Sequence, residues 1–217
     1  MEIAIVGPGR IGGNIARRLA AAGHRLTLSF SRDESKLSAL AEELGGKAAT
    51  PGDAVASAQL AVLSVPWDAI PEALEQTGSL EGKIVIDTTN QFGSGPMPAE
   101  GQTAAAFNAA RMPGARYTKS FNTLTSGFQE QVADRPADTR VVQWVCGDDA
   151  EAKNVVSALI EQAGYVPVDL GGTADCAVME APRRPGAVYG EEWRLDEALD
   201  VVEAVREGRA IPETPTY

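Results

Sequence analysis

The sequence predicts an α/β fold: a doubly wound, largely parallel sheet with a short C-terminal appendage. Three observations predict it. Short apolar runs without alternation recur along the chain, as expected of strands buried on both faces. Segments of helical period separate them, which is the pattern of βαβ units. A glycine-rich turn, 7–13, joins the first run to the first helix.

The elements follow in order. Ile3 to Val6 is the first buried strand, and Ile11, Ile15, Leu19 and Ala22 line one face of a helix that Gly23 ends. Arg25 to Phe30 alternates as a strand. Asp33 to Leu44 is a helix with Leu37, Leu40, Ala41 and Leu44 inward. Strands are predicted at Leu60 to Val65 and Lys83 to Asp87, with a helix from Pro66 to Gln76 between them. Gln91 to Glu100 is rich in Gly and Pro and reads as a loop. A helix at Ala104 to Arg111 follows, then strands at Arg116 to Phe121 and Val141 to Cys146. Asp149 to Gln162 is a helix, and Asp148 with Glu151 three residues on reads as its capping box. A last strand covers Tyr165 to Asp169. Residues 1–170 thus form a dinucleotide-binding type of domain. Residues 171–217 form an irregular segment with one helix, Leu195 to Arg206, packed on the domain or on a dimer partner. Tyr189, Trp193 and Leu195 are the large apolar groups expected to pack across a homodimer.

The 217 residues carry a net charge of −11. Such a field repels nucleic acid and anionic membrane, and no Lys/Arg run exceeds a pair. No stretch approaches the roughly 20 apolar residues of a membrane span. The N-terminus lacks the basic start and long apolar run of a secretory signal, so a cytoplasmic location is expected. Cys146 and Cys176, far apart in sequence, read as two unpaired thiols. One histidine, His24, and two distant cysteines make no zinc site, so no metal is expected.

Gly7-Pro8-Gly9-Arg10-Ile11-Gly12 fits G-x-G-x-x-G, leaving a strand and opening a helix. Gly7 permits a tight turn, Gly9 lets backbone approach a pyrophosphate, and Gly12 allows close helix–strand packing. The helix N-terminus then faces the phosphates. This is a Rossmann-type arrangement. An NAD enzyme would carry Asp or Glu at the end of the second strand. Here that strand ends Phe30-Ser31-Arg32, with Lys36 one turn on, so Ser31, Arg32 and Lys36 are candidates for the 2′-phosphate of NADP. Ser64-Val65-Pro66-Trp67 sits at the end of the strand after the topological switch, where ligands bind; Ser64, Val65 and Pro66 border the cofactor, and Trp67 can pack on a flat ring or in the core.

With these residues in view, the chain resembles the NADPH:deazaflavin (coenzyme F-420) reductase family, relatives of the cytosolic domains of six-transmembrane metalloreductases. The resembling residues are 5–12, Ser31-Arg32 with Lys36, Val65-Pro66-Trp67 and Asp87-Thr88-Thr89-Asn90. Lys119-Ser120-Phe121-Asn122-Thr123 and Cys146-Gly147-Asp148-Asp149 extend the likeness. The resemblance implies hydride transfer between NADPH and coenzyme F-420. It implies that Asn90 joins the cofactor site and that Phe121, Asn122 and Thr123 lie by the acceptor pocket. The segment after Gly171, including Arg183-Arg184-Pro185-Gly186, departs from the family pattern.

No catalytic acid or base stands out. The chain has no Y-x-x-x-K and no G-x-S-x-G, and hydride transfer between two rings needs stacking and orientation more than a base. The alternatives are an NADP-dependent imine or hydroxyacid reductase and a non-catalytic NADP(H)-binding sensor.

Overall fold

A computed structural model describes residues 1–217. Eight strands form one sheet in the order β3-β2-β1-β4-β5-β6-β7-β8. They are β1 (Glu2–Val6), β2 (Arg25–Ser29), β3 (Lys47–Ala48), β4 (Leu60–Leu63), β5 (Ile84–Asp87), β6 (Arg116–Ser120), β7 (Val142–Cys146) and β8 (Val166–Gly171). Every neighbouring pair is parallel except β6 with β7. The helices are α1 (Arg10–Ala21), α2 (Glu34–Glu43), α3 (Pro51–Ser57), α4 (Ile70–Thr77), α5 (Ala104–Ala110), α6 (Ser126–Val132), α7 (Ala150–Gln162) and α8 (Leu195–Arg206). The chain starts in the middle of the sheet, builds β2 and β3 outward, then returns to β4 on the other side of β1. This reversal opens a crevice at the C-terminal ends of β1 and β4, where ligands bind in open α/β sheets.

The sheet is buried on both faces, which is why its central strands lack alternation. Val62, Ile86, Val145 and Val156 belong to one apolar layer; Val6, Leu63, Val85 and Trp144 belong to the other. Three elements lie outside the expected set: β3, α3 and α6. Each is short, and α3 and α6 begin at Thr caps, Thr50 and Thr125, whose side chains accept from Asp53 N and Phe128 N. An isolated helix of about two turns is marginal in water and forms here by packing, so its periodic signal is weak.

Four expectations are corrected. First, Trp193 does not need a partner subunit. It is 1% exposed and meets Trp144 edge-on at 6.3 Å between ring centres, inside the same layer as Val6. Met179, Val188, Ala198, Val201 and Val202 lie in that layer too, so the segment after 170 completes the core of the domain. Tyr189 is half-buried against Phe92, and Leu195 is exposed. Second, Cys146 and Cys176 are a disulfide, their Cα atoms 6.2 Å apart. Sequence distance hid this, because the 3-10 turn Thr173–Met179 folds back beside β7. Disulfides are rare in reducing compartments, so the thiols no longer argue for a cytoplasmic location. Third, the cap of α7 is Asp149, which accepts from Ala152 N; Asp148 instead takes Thr173 N and Oγ1, both at 2.8 Å, and ties the C-terminal segment to the sheet. Fourth, Trp67 is a core residue and is treated with the site. No helix is long and apolar enough to cross a membrane.

Candidate cofactor and acceptor site

The turn between β1 and α1 contains three glycines with different reasons to be glycine. Gly7 has φ +89°, and a Cβ there would lie 2.5 Å from the Ser64 carbonyl oxygen. At Gly12 a Cβ would lie 2.4 Å from the Gly7 carbonyl oxygen. Both are demanded by the fold itself. Gly9 is exposed, has an ordinary φ of −72°, and a Cβ there would meet nothing within 4 Å. No protein atom fills the space beside Gly9, and that open space fits the close approach of a ligand.

The first turn of α1 fits the same ligand. Helices α2, α3, α5, α6 and α7 all have a side-chain cap on their first N–H groups. α1 has Gly9 at the cap, no side-chain hydrogen bond there and no acidic residue in its first turn. Its free N–H groups and dipole end suit a pyrophosphate.

Beyond β2 the chain turns through Phe30, a non-glycine residue at φ +58°. That conformation is rare for a bulky side chain and is held only where the surroundings determine it. It delivers Ser31 and Arg32 to the surface. Asp33 caps α2 by accepting from Lys36 N at 3.0 Å, and its own N–H donates to Ser31 Oγ at 3.2 Å. The Asp33 carboxyl is held below its ordinary range, first by that backbone N–H and then by the Lys36 ammonium. Lys36 Nζ is 3.4 Å from Asp33 Oδ2, so its charge is partly engaged. Arg32 is exposed and has no ion-pair or hydrogen-bond partner. Of the three candidate 2′-phosphate residues, it is the uncommitted one.

At the end of β4, Ser64 Oγ accepts from Thr88 Oγ1 at 2.9 Å and would lie 3.1 Å from a Cβ at Gly12. The serine side chain therefore spaces β4, β5 and α1, leaving its backbone at the crevice. Val65 is buried and Pro66 exposed. Trp67 is 2% exposed; its indole N–H donates to the Pro96 carbonyl at 2.9 Å and its ring stacks near Phe107 at 6.0 Å. The ring is buried and its polar edge is used by the fold, which corrects the pocket reading of this residue.

The ends of β5 and β6 are built differently. Asp87, fully buried, accepts from Tyr117 Oη at 2.6 Å and Asn108 Nδ2 at 2.8 Å, and its other oxygen accepts from Thr89 N at 2.7 Å. Lys119 Nζ, also fully buried, lies 3.7 Å from Asp87 and donates to the Thr89 carbonyl at 2.6 Å. Burial, together with the Asp87 charge, pushes the Tyr117 hydroxyl well above its ordinary value, so it stays protonated. This network fixes the turn that carries Asn90. Asn90 Nδ2 donates to the Asn122 carbonyl at 2.8 Å, and Asn122 Nδ2 donates back to Asn90 Oδ1 at 3.1 Å. Phe121 holds φ +58°, is 1% exposed and packs edge-on against Tyr165. Its ring is core. Its conformation turns Asn122 and Thr123 toward Asn90.

The sequence motifs contained Asp87 and Lys119 but gave them no role, and they did not reach Gln91; the pairing of β5 with β6 sets Asp87 opposite Lys119.

Comparison with known proteins gives the family. Residues 2–91 match the family model of the coenzyme F420-dependent NADP oxidoreductases. A protein of Methanothermobacter thermautotrophicus named F420-dependent NADP reductase is 30% identical over 201 residues, covering 83% of this chain and 85% of its own. The chain belongs to this family. Metalloreductase STEAP3 of Rattus norvegicus is 26% identical over 180 residues, which cover 83% of this chain; they span 36% of STEAP3, so the chain matches about a third of that relative. A solved structure of a hypothetical protein from Sinorhizobium meliloti superposes with a TM-score of 0.76 at 29% identity, covering 89% of this chain and 96% of that one. Its coverage reaches beyond the residues that the family model matches.

Proposed function

We propose that the protein binds NADPH at the β1–α1 turn and passes hydride from it to a ring acceptor, with a deazaflavin of the coenzyme F-420 type as the leading candidate. Gly9 carries the reading. It is the one glycine of the motif that the fold leaves free, and it faces the uncapped N-terminus of α1. Gly7, Pro8 and Gly9 shape the turn around the pyrophosphate, and the unpaired backbone N–H groups of Arg10, Ile11 and Gly12 donate to it. Arg32 takes the 2′-phosphate, helped by Ser31 and Lys36. Ser64, Val65, Pro66 and Asn90 border the nicotinamide ribose and ring.

The bound cofactor supplies the hydride. The reaction balances as two electrons and one proton leaving NADPH together, with the second proton of the reduced ring coming from water. The chain's own work is positioning. Tyr117, Asp87 and Lys119 are locked among themselves and offer no free acid or base to the crevice. That supports a ring acceptor, whose reduction needs distance and orientation more than proton transfer. The homodimer expected from the sequence is carried as part of this reading; light scattering of the purified chain tests it.

The deciding assay mixes the protein with NADPH and an oxidised deazaflavin and follows the ring's visible absorbance, with NADH as control. Bleaching with NADPH alone supports the reading. Tight NADPH binding without bleaching of any ring acceptor overturns the hydride-transfer half.

A further inference from the structure

The loop that follows the 3-10 turn, Ala181 to Gly190, lies across the ends of β5 and β6. Its base is closed by Val188 N donating to the Val178 carbonyl at 2.8 Å, and buried Met179 and Val188 anchor it. Between these anchors Pro182 to Gly186 is exposed. The loop and the turn before it touch the acceptor side through polar groups. Asn122 Nδ2 donates to the Met179 carbonyl at 2.7 Å, and Gln91 Nε2 donates to the Ala181 carbonyl at 3.0 Å. Gly190 N donates to the Thr123 carbonyl at 2.8 Å, and Tyr189 meets Phe92 edge-on.

Beneath it, three side-chain oxygens are buried without a hydrogen-bond partner: Gln91 Oε1, Asn122 Oδ1 and Thr123 Oγ1. Asn122 is 4% exposed and Thr123 is 3% exposed. A buried unpaired polar group costs about 1–3 kcal/mol, so three within one hydrogen-bonded knot call for an occupant. Two of them differ in kind. An amide oxygen only accepts, whereas a hydroxyl also donates. Together they complement a group that places an N–H donor beside a carbonyl.

We propose that Asn122 Oδ1 and Thr123 Oγ1, beside Gln91, form the recognition edge of the acceptor site, exposed when the 181–190 loop lifts, and that they bind the imide edge of a flavin-type ring. The ring N–H donates to Asn122 Oδ1, and the Thr123 hydroxyl donates to the adjacent ring carbonyl. This rests on the hydride-transfer reading and names the chemical feature of the acceptor that the chain selects. The loop is the gate: its contacts to Gln91 and Thr123 occupy the same knot that the ring engages.

The test uses the full chain with NADPH, 5-deazariboflavin, and 5-deazariboflavin methylated at the imide nitrogen. In the unaltered protein, methylation raises KM roughly three- to tenfold, the loss of one neutral hydrogen bond. T123V, which removes only an unpaired hydroxyl and keeps the shape, raises KM for the parent ring by a similar factor, leaves the NADPH Kd unchanged and does not lower the melting temperature. Hydrogen exchange of peptides spanning 181–190 quickens when the ring binds the NADP+-loaded protein. Equal KM for the two rings with exchange unaltered overturns the proposal while hydride transfer stands. A wild-type KM difference that T123V leaves untouched removes Thr123 from the edge. No reduction of either ring, with NADPH bound, overturns the proposal together with the reading it rests on.

Discussion

Around the ends of β1 and β2 the molecule presents backbone, glycine and two unpartnered cations, Arg10 and Arg32, to solvent. Around the ends of β5 and β6 it presents polar side chains buried under another part of the chain. Both regions lie at the same ends of one sheet, yet in the proposed function they meet ligands by different means. A pyrophosphate is met by N–H groups that any sequence supplies once the turn is glycine. A ring edge needs side-chain donors and acceptors held in place, so that region is dense with hydrogen bonds and closed by the C-terminal loop. Substitutions should therefore split: removing a hydrogen-bonded partner, as in the β5–β6 network, costs stability, and removing an unpartnered group costs ligand.

Asp87→Ala is the sharpest way to break that contrast. It strips the partner from buried Lys119 and leaves Tyr117 Oη and Asn108 Nδ2 without their acceptor. Loss of one member of a buried ion pair costs about 3–5 kcal/mol, read as a lower denaturant midpoint. A loss below about 1 kcal/mol, within the range of an exposed ion pair, would mean the network does not hold the acceptor side.

The glycines test the other region. Gly12→Ala drives a Cβ into the Gly7 carbonyl, and overpacking of this kind costs about 1–3 kcal/mol. Gly9→Ala meets no atom and should melt with the parent protein, while NADPH Kd rises about tenfold or more as the ligand loses its approach. Normal NADPH affinity in Gly9→Ala would remove the observation that carries the proposed function.

Arg32→Ala comes next. The guanidinium has no partner to strand, so stability should hold while NADPH weakens by about tenfold, and NADH binding stays level. Asp33→Asn keeps a good helix cap and releases Lys36 from its ion pair. It should tighten NADPH by roughly two- to fivefold, the range of a single exposed charge interaction. Equal effects on NADH in both variants would detach these residues from the 2′-phosphate.

The same contrast explains what could be read in advance. Gly7, Gly9, Gly12 and Arg32 are close in sequence, and their roles follow from a turn and a strand end, so pattern alone finds them. Most strands and the longer helices were legible for a related reason: their apolar period reports burial directly. The acceptor side was legible only as resemblance. Asn90 meets Asn122 across 32 residues, and Asn122 meets Met179 across a further 57. The disulfide between Cys146 and Cys176 and the placement of Trp193 against Trp144 are contacts of the same long range. Such contacts exist only after the sheet forms. Trp67 shows the limit from the other direction. Its position at a strand end suits a ligand, and only the Pro96 carbonyl and Phe107 ring show that the fold has already used it.

The smallest expected effect concerns acid. Asp149 caps α7 and receives the Arg116 guanidinium at 2.6 Å, and these partners, Arg116 first, hold its carboxyl far below the ordinary range. Asp134 is lowered in the same way by Arg18. A folded carboxyl lowered this way adds stability that is fully present above the unfolded value of about 3.9 and disappears as pH falls through the lower folded value. Both aspartates lie near the surface, where water screens the charge, so the contribution is modest. Asp149→Asn keeps a cap residue and removes the titration. Its deficit in melting temperature against the parent protein should be widest near pH 7 and narrow steadily below pH 4. A deficit independent of pH would assign the whole effect to the cap geometry of α7 and none to the Arg116 pair.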